Sequence, residues 1–228
     1  MKFPKKKIII LGGCGYIGTI LSQYLIAKGF YVKVIDRQIY GNFIKKSQNI
    51  QIINKDVRKI SHNDFAGYDY VIHLANIAND PSVELHPSLS WDINVLATDK
   101  ICRAAIKANV KKIIFASSGS VYGIKKERNV TEDLELKPIS IYNKTKMIAE
   151  RILLSYKKEI DVVCIRPATV CGYSKRLRLD VSVNLLTHQA YKNKKIIVLG
   201  GKQIRPNIHI KDLVRIFYFS LKKKYLVI

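Results

Sequence analysis

Along the chain, short runs of β-branched and aliphatic residues alternate with stretches whose apolar positions recur every three or four residues. The runs are Lys7–Leu11, Tyr31–Ile35, Ile50–Ile53, Tyr70–Leu74, Lys112–Ala116, Val162–Ile165 and Ile196–Leu199. Most are nearly continuously apolar rather than alternating, which predicts strands buried on both faces. Between them, Gly15–Lys28 places Ile17, Leu21, Tyr24 and Leu25 on one helical stripe. Ser88–Ala108 does the same with Leu89, Ile93, Leu96, Ile101, Ala105 and Ile106. Buried strands separated by helices imply a parallel sheet covered on both faces, an α/β fold of the Rossmann-type, doubly wound kind. From about Gly172 the pattern changes. Asp180–Lys192 reads as a helix, Ile196–Leu199 as a short strand and Lys211–Lys224 as a helix, a smaller lobe on the sheet's carboxyl edge. The predicted division is a dinucleotide-binding domain over 1–171 and a partial substrate lobe over 172–228.

Composition narrows the classes. A chain of 228 residues buries a sizeable core, and 48% hydrophobic with 25% charged residues is ordinary for a globular protein. No apolar run approaches the roughly 20 residues that span a bilayer, so no membrane partner is expected. Lys5–Lys7 before "IIILGGC" imitates a secretory leader, but only Ile8–Leu11 run apolar there, against the ~7–15 residues of a leader. Cys14, Cys102, Cys164 and Cys171 lie far apart with no C-x-x-C pair, which fits a reducing cytoplasm and offers no metal site. The net charge of +23 comes from lysine doublets and triplets spread over the whole chain, mostly at predicted element ends. That reads as a solvated surface rather than a nucleic-acid face, although the positive field favours anionic substrates.

Candidate chemistry begins at "LGGCGYIG". Its glycines fit G-x-G-x-x-G from Gly13, or a shifted register of Gly12, Gly15 and Gly18. Either follows a strand and opens a helix, where a sharp turn, close approach to a pyrophosphate and tight packing each disfavour a Cβ. The helix N-terminus then faces the phosphates. Asp36 closes the second strand, where a carboxylate accepts ribose hydroxyls and repels a 2′-phosphate, favouring NAD over NADP; Arg37 beside it weakens that preference.

Tyr142 and Lys146 stand four apart in a helical pattern and share a face. A free phenol with pKa near 10 is a poor base at neutral pH. A cation ~4 Å away, at an effective dielectric of ~20, is worth about 4 kcal/mol, or roughly three pKa units, enough to bring it toward neutrality. Upstream, "FASSGSVYG" leaves a strand with hydroxyls at Ser117, Ser118 and Ser120.

With these pieces together, the sequence resembles the extended short-chain dehydrogenase/reductase family, in its NAD-dependent nucleotide-sugar epimerase/dehydratase branch. The matching stretches, in the family's order, are "GGCGYIG" with Asp36, Asp56-Val57, "HLAN" (73–76), "INV" (93–95), "SSGSVYG", "YNKTK", "RPATVCG" (166–172) and "RPNIHIKDL" (205–213). The resemblance selects Gly12, Gly15 and Gly18, leaving Gly13 as an extra, and implies NAD as cofactor. It implies that Tyr16, Ile17, Asn94 and Ser117 also surround the cofactor, that Asp56 and Val57 border the adenine, that Leu74 and Ala75 line the channel, and that Pro167 borders the nicotinamide. It gives Ser118 as the catalytic hydroxyl in contact with substrate, Tyr142 as acid/base, and Lys146 as the residue that lowers its pKa and holds the nicotinamide ribose. Asn184 and Arg205 match positions that hold the nucleotide's phosphate or ribose, and an arginine suits a diphosphate. His73 and His209 are expected to be structural.

The activity implied is epimerisation of a nucleotide-diphosphate sugar through a 4-keto state. A 4,6-dehydratase needs an Asp-Glu pair after the catalytic hydroxyl, where this chain has Gly119 and Ser120, and a decarboxylase needs an acid at Ser120. A keto-sugar reductase comes second, and a non-catalytic dinucleotide-sensing or RNA-binding protein is the reading from another class. The family's lobe continues well past "IHIKDL", so the resemblance also implies a shortened lobe ending in an apolar stub, Leu226–Ile228. Dimerisation through the long helices 88–108 and 140–156 is implied by analogy.

Overall fold

The computed structural model describes residues 6–222 and 226–227. Its main sheet is built from Lys7–Leu11 (β1), Tyr31–Asp36 (β2), Ile50–Asn54 (β3), Tyr70–His73 (β4), Lys112–Ala116 (β5) and Asp161–Ile165 (β6), in the order β3-β2-β1-β4-β5-β6. All these pairs are parallel, with Ile8 of β1 opposite Val32 on one side and Tyr70 on the other. The chain winds outward to β3 and then returns to the far side of β1. The switch point therefore lies between β1 and β4, where open α/β sheets bind ligands at the carboxyl ends of the strands.

The sheet separates two cores, and β1 shows how. Ile9 and Leu11 point to one face and Ile8 and Ile10 to the other, the two-residue period of a strand. On the first face they meet Ile101 and Ala105 of a helix at Ala97–Lys107 and Ala149 and Leu153 of another at Ile141–Ser155. On the second they meet Leu21 and Leu25 of α1 (Tyr16–Ala27), with Leu213 and Phe217 of a helix at Ile210–Ser220. Short helices α2 (His62–Phe65) and α3 (Asp80–Leu85) fill the connections. The predicted helix over 88–108 is α4 (Pro87–Trp91), a π turn at Asp92–Leu96, and α5 (Ala97–Lys107). The next helix, Ile141–Ser155, is α6, followed by α7 (Ser182–Asn193) and α8 (Ile210–Ser220).

Three expectations change. Ile196–Leu199 is exposed and irregular, because no strand among the described residues lies beside it to complete its hydrogen bonds. Instead Thr169–Cys171 (β7) and Asn207–His209 (β8) form a separate parallel pair; three residues are too few for a readable period. The stub is a strand: Leu226–Val227 (β9) adds parallel to β6, with Val163 opposite Leu226 and Cys164 opposite Val227. The helix expected to reach Lys224 ends at Ser220, and Lys223 and Lys224 lie outside the described residues.

Candidate functional site

The turn from β1 into α1 is forced to be glycine. Gly12 has φ +78°, and a Cβ there would meet the backbone of Ala75 at 2.6 Å, so this turn lies directly against the end of β4. A Cβ on Gly18 would strike Gly13 at 2.5 Å, which is why α1 sits so close to the turn. Gly15 is the N-cap of α1 and has no side-chain cap, leaving first-turn N–H groups to face a ligand. At the end of β2, the Asp36 carboxylate accepts from the Cys14 amide (3.0 Å) and from the Gln38 amide (2.6 Å). A carboxylate has about four lone-pair sites, so two remain for ribose hydroxyls.

The residues expected around a dinucleotide follow the carboxyl edge. Arg37 reaches across to Asp56 (3.1 Å), which Arg58 also grips in a fork. The Arg58 hydrogen bonds hold the Asp56 carboxyl down at about 2. Val57 is buried beside it, Leu74 and Ala75 follow β4, and Ile17 packs from α1 onto the core. Ser117 leaves β5 with its hydroxyl buried and unpartnered among the described residues. Asn94 acts one layer back. Its amide bonds both backbone groups of Ile77 and the Thr145 hydroxyl, pinning the loop after β4 to α6. The uncapped helix, the glycine-only turn, the carboxylate and the orphaned hydroxyl together fit a dinucleotide.

Ser118, Tyr142 and Lys146 come together beyond β5. Ser118 caps the turn Gly119–Tyr122, its hydroxyl 2.7 Å from that of Ser120, and that hydroxyl favours the ionised form of the Tyr142 phenol. The amide of Gly119 donates to the Pro167 carbonyl (2.9 Å), joining this turn to the loop after β6. Ser140 caps α6 by accepting from the Asn143 amide, which fixes Tyr142 in the first turn and Lys146 one turn on. The Lys146 ammonium donates to the Ala116 carbonyl (2.8 Å), 4.7 Å from the Phe115 ring and 6.0 Å from the Tyr142 ring centre.

Burial dominates the electrostatics of the pair in the chain by itself. Burial pushes the Lys146 amine down to about 7, with Glu150 working against it. Burial also pushes the Tyr142 phenol up to about 12, against the field of Arg178 and the Ser118 hydrogen bond. In the chain by itself the phenol is not brought toward neutrality, because burial outweighs the groups that favour its ionised form.

Residues after β7 fold back over this edge. The amide of Asn184, on α7, accepts from the Gly172 amide and donates to the Tyr16 hydroxyl and the Arg178 carbonyl. Tyr16 donates in turn to the Gly172 carbonyl (2.6 Å). Asn184 thus ties the lobe to α1. Arg205 is exposed on the segment entering β8. His73 is buried, which pushes its pKa down to about 3, and lies in hydrogen-bond contact with the Thr98 hydroxyl, while the His209 ring caps α8. The sequence pattern missed Arg178, whose guanidinium forks onto Asp180, and Asn79, which donates to the same carboxylate (2.6 Å). Nothing in "SKRLRLD" separates that arginine from a basic surface run. No cluster of potential metal ligands and no helix long and apolar enough to cross a membrane occurs among the described residues.

The family model described as the NAD-dependent epimerase/dehydratase family matches residues 8–226. A putative UDP-glucose 4-epimerase of Methanocaldococcus jannaschii is 28% identical over 225 residues, covering 95% of this chain and 74% of that protein. The uncharacterised protein y4nG of Sinorhizobium fredii is 30% identical over 213 residues, and there the match covers 91% of this chain but 51% of the relative. Among solved structures, the NAD-dependent NDP-hexosamine 5,6-dehydratase TunA of tunicamycin biosynthesis superposes with a TM-score of 0.89 at 26% identity, over 97% of this chain and 74% of that one. The chain therefore spans about half to three-quarters of the length of these relatives.

Proposed function

The chain belongs to the NAD-dependent epimerase/dehydratase family, and on that premise we propose that it epimerises a nucleotide-diphosphate sugar at C4. The observation that carries the choice is an intact Ser118–Tyr142–Lys146 group beside a turn with no acid or base to expel water. Position 119 holds a glycine, where a Cβ would make a tight 3.1 Å contact with the Pro167 carbonyl oxygen. Position 120 holds a serine whose hydroxyl is engaged with Ser118. Neither transfers a proton at neutral pH, whereas elimination needs a group that does.

NAD, when bound, would supply a reversible hydride acceptor for the sugar carbon. The turn at Gly12, Gly15 and Gly18 would hold its diphosphate, and Asp36 its adenosine ribose, with Arg37 and Asp56 at the adenine end. Tyr142 removes the proton of the reacting hydroxyl and gives it back to the same oxygen once the keto sugar has turned its other face. Ser118 hydrogen-bonds that oxygen and keeps it within reach of the phenol. Lys146, buried at the base of the pair, orients the nicotinamide ribose. The loop tied down by Asn184, with Arg205 on the rim, forms the anion-binding wall for the nucleotide diphosphate. In this reading residues 1–171 serve the cofactor and 172–228 part of the substrate lobe. Two copies pair through α5 and α6, and four free thiols suit a reducing cytoplasm.

The test is incubation of the purified protein with a panel of UDP-hexoses, with products separated by chromatography. Interconversion of C4 epimers without net NADH formation is the expected result, lost in Tyr142→Phe. Stoichiometric NADH or NADPH consumption with keto sugars would replace this reading by a reductase.

A further inference from the structure

The segment that follows β7 meets the carboxyl edge of the sheet at three places, and the three lie side by side. Its middle is anchored on Tyr16, the first residue of α1. The Tyr16 hydroxyl donates to the Gly172 carbonyl and accepts from the Asn184 amide, and the Ser174 hydroxyl donates to the Tyr16 carbonyl (3.0 Å). On one side the Arg176 guanidinium stacks over the Tyr40 ring, 3.9 Å from its centre. Tyr40 belongs to the loop after β2, a few residues beyond Asp36. On the other side Asp180, whose carboxylate Arg178 grips, accepts from Asn79 in the loop after β4 (2.6 Å). Strands β2, β1 and β4 are neighbours in the sheet, so residues 172–180 run across the carboxyl ends of three adjacent strands. The glycine turn and Asp36, the groups suited to a dinucleotide, lie on that same stretch of edge. We propose that residues 172–180 form a strap across the dinucleotide groove, with Arg176 and Tyr40 as the latch that opens for NAD to enter or leave.

The contacts differ in how readily they part. At the anchor Ser174 is fully buried and Tyr16 is 5% exposed, and three hydrogen bonds would break together. At the latch Tyr40 is 64% exposed and Arg176 half-buried, and a cation–π contact at an exposed site is weak. The loop that carries Tyr40 has no helix or strand between Asp36 and β3. Its tip, Ile39 and Tyr40, is exposed while Ile44 is seated in the core, so the tip opens without unseating the loop. The strap thus parts at its Tyr40 end and stays fixed at Tyr16. It is also basic. Lys175, Arg176 and Arg178 lie within four residues, and Arg178 alone among them pairs with a carboxylate among the described residues. The remaining positive charge favours a diphosphate beneath the strap. A latch of this kind slows entry and exit alike, unlike a side chain that simply touches the cofactor.

The test is NAD exchange on the full chain, which needs no turnover and so stands apart from the epimerase reading. Radiolabelled NAD is chased with unlabelled NAD to measure release, and added to cofactor-stripped protein to measure entry. Arg176→Gln and Tyr40→Leu are each expected to speed both rates by about two- to fivefold, the worth of an exposed cation–π contact, with Kd nearly constant. The double variant is expected to be no faster than either single one, because both remove the same contact. Losing a positive charge by itself slows the entry of an anion, so faster entry in Arg176→Gln separates a latch from plain electrostatics. Near-ultraviolet circular dichroism checks that each variant is folded. Unchanged rates in both variants, or additive effects in the double variant, overturn the inference. Faster release with unaltered entry also overturns it, and makes Arg176 a direct contact of the cofactor. Latch-dependent exchange in a protein that epimerises no sugar overturns only the functional reading; epimerisation with latch-independent exchange overturns only this inference.

Discussion

At the scale of single residues, the site works against its own stability. Lys146 is 1% exposed and its amine is driven down to about 7, so folding withdraws a proton that the unfolded chain holds to about 10.5. The sign follows from linkage. Between pH 7 and 10.5 the unfolded state binds more protons, so this group lets stability rise with pH across that window. Lys146→Met keeps the apolar stem and removes the buried charge. It is expected to melt about 2–4 °C higher at pH 7, for roughly 1 kcal/mol gained, with the gap to the parent narrowing toward pH 10 and activity abolished. A thermal melt series over pH checks it; a lower melting point at every pH would show that the hydrogen bond to Ala116 outweighs the burial of the charge. The tyrosine and lysine were legible as a pair four residues apart. Their solvation was not, because it depends on Phe115, Ala116 and Glu150, brought in by other elements.

At the scale of elements, the strands and the glycine turn were readable because each obeys a local rule: apolar runs for β1, β2 and β5, and positions such as Gly12 where the backbone of β4 leaves no room for a Cβ. What the sequence hid is long-range. The Arg166–Glu150 pair is one case, its side chains 7% and 1% exposed. Arg166 follows β6, Glu150 belongs to α6, and the guanidinium also donates to the Tyr122 hydroxyl (2.9 Å) at the turn that begins with Ser118. One buried ion pair thus fixes the distance between the tyrosine helix and the serine turn. Glu150→Ala would leave the arginine charged and uncompensated, at a cost of about 3–5 kcal/mol. Urea unfolding measures this, and a loss under about 1 kcal/mol would mean that water reaches the pair. The π turn at Asp92–Leu96 was equally hidden, since its apolar stripe differs little from that of an α-helix.

At the scale of the whole molecule, the sheet order brings the glycine turn, Asp36, Asp56, Leu74, Ala75 and Ser117 to one carboxyl edge, and the segment after β7 returns to that edge through Asn184, Arg178 and Asp180. The strand expected at Ile196–Leu199 failed for the same reason that β9 succeeded: a strand forms where a neighbour offers a free edge, which β6 does. The +23 charge is spread rather than focused, and its consequence is a general attraction for anions such as a nucleotide diphosphate. The central claim is that this fold retains its dinucleotide through a cycle that leaves the cofactor unchanged. The most direct measurement is the dinucleotide released when protein purified without added cofactor is denatured. About one NAD per chain is the predicted result. Folded protein that releases none, and binds none when NAD is added, would contradict the account.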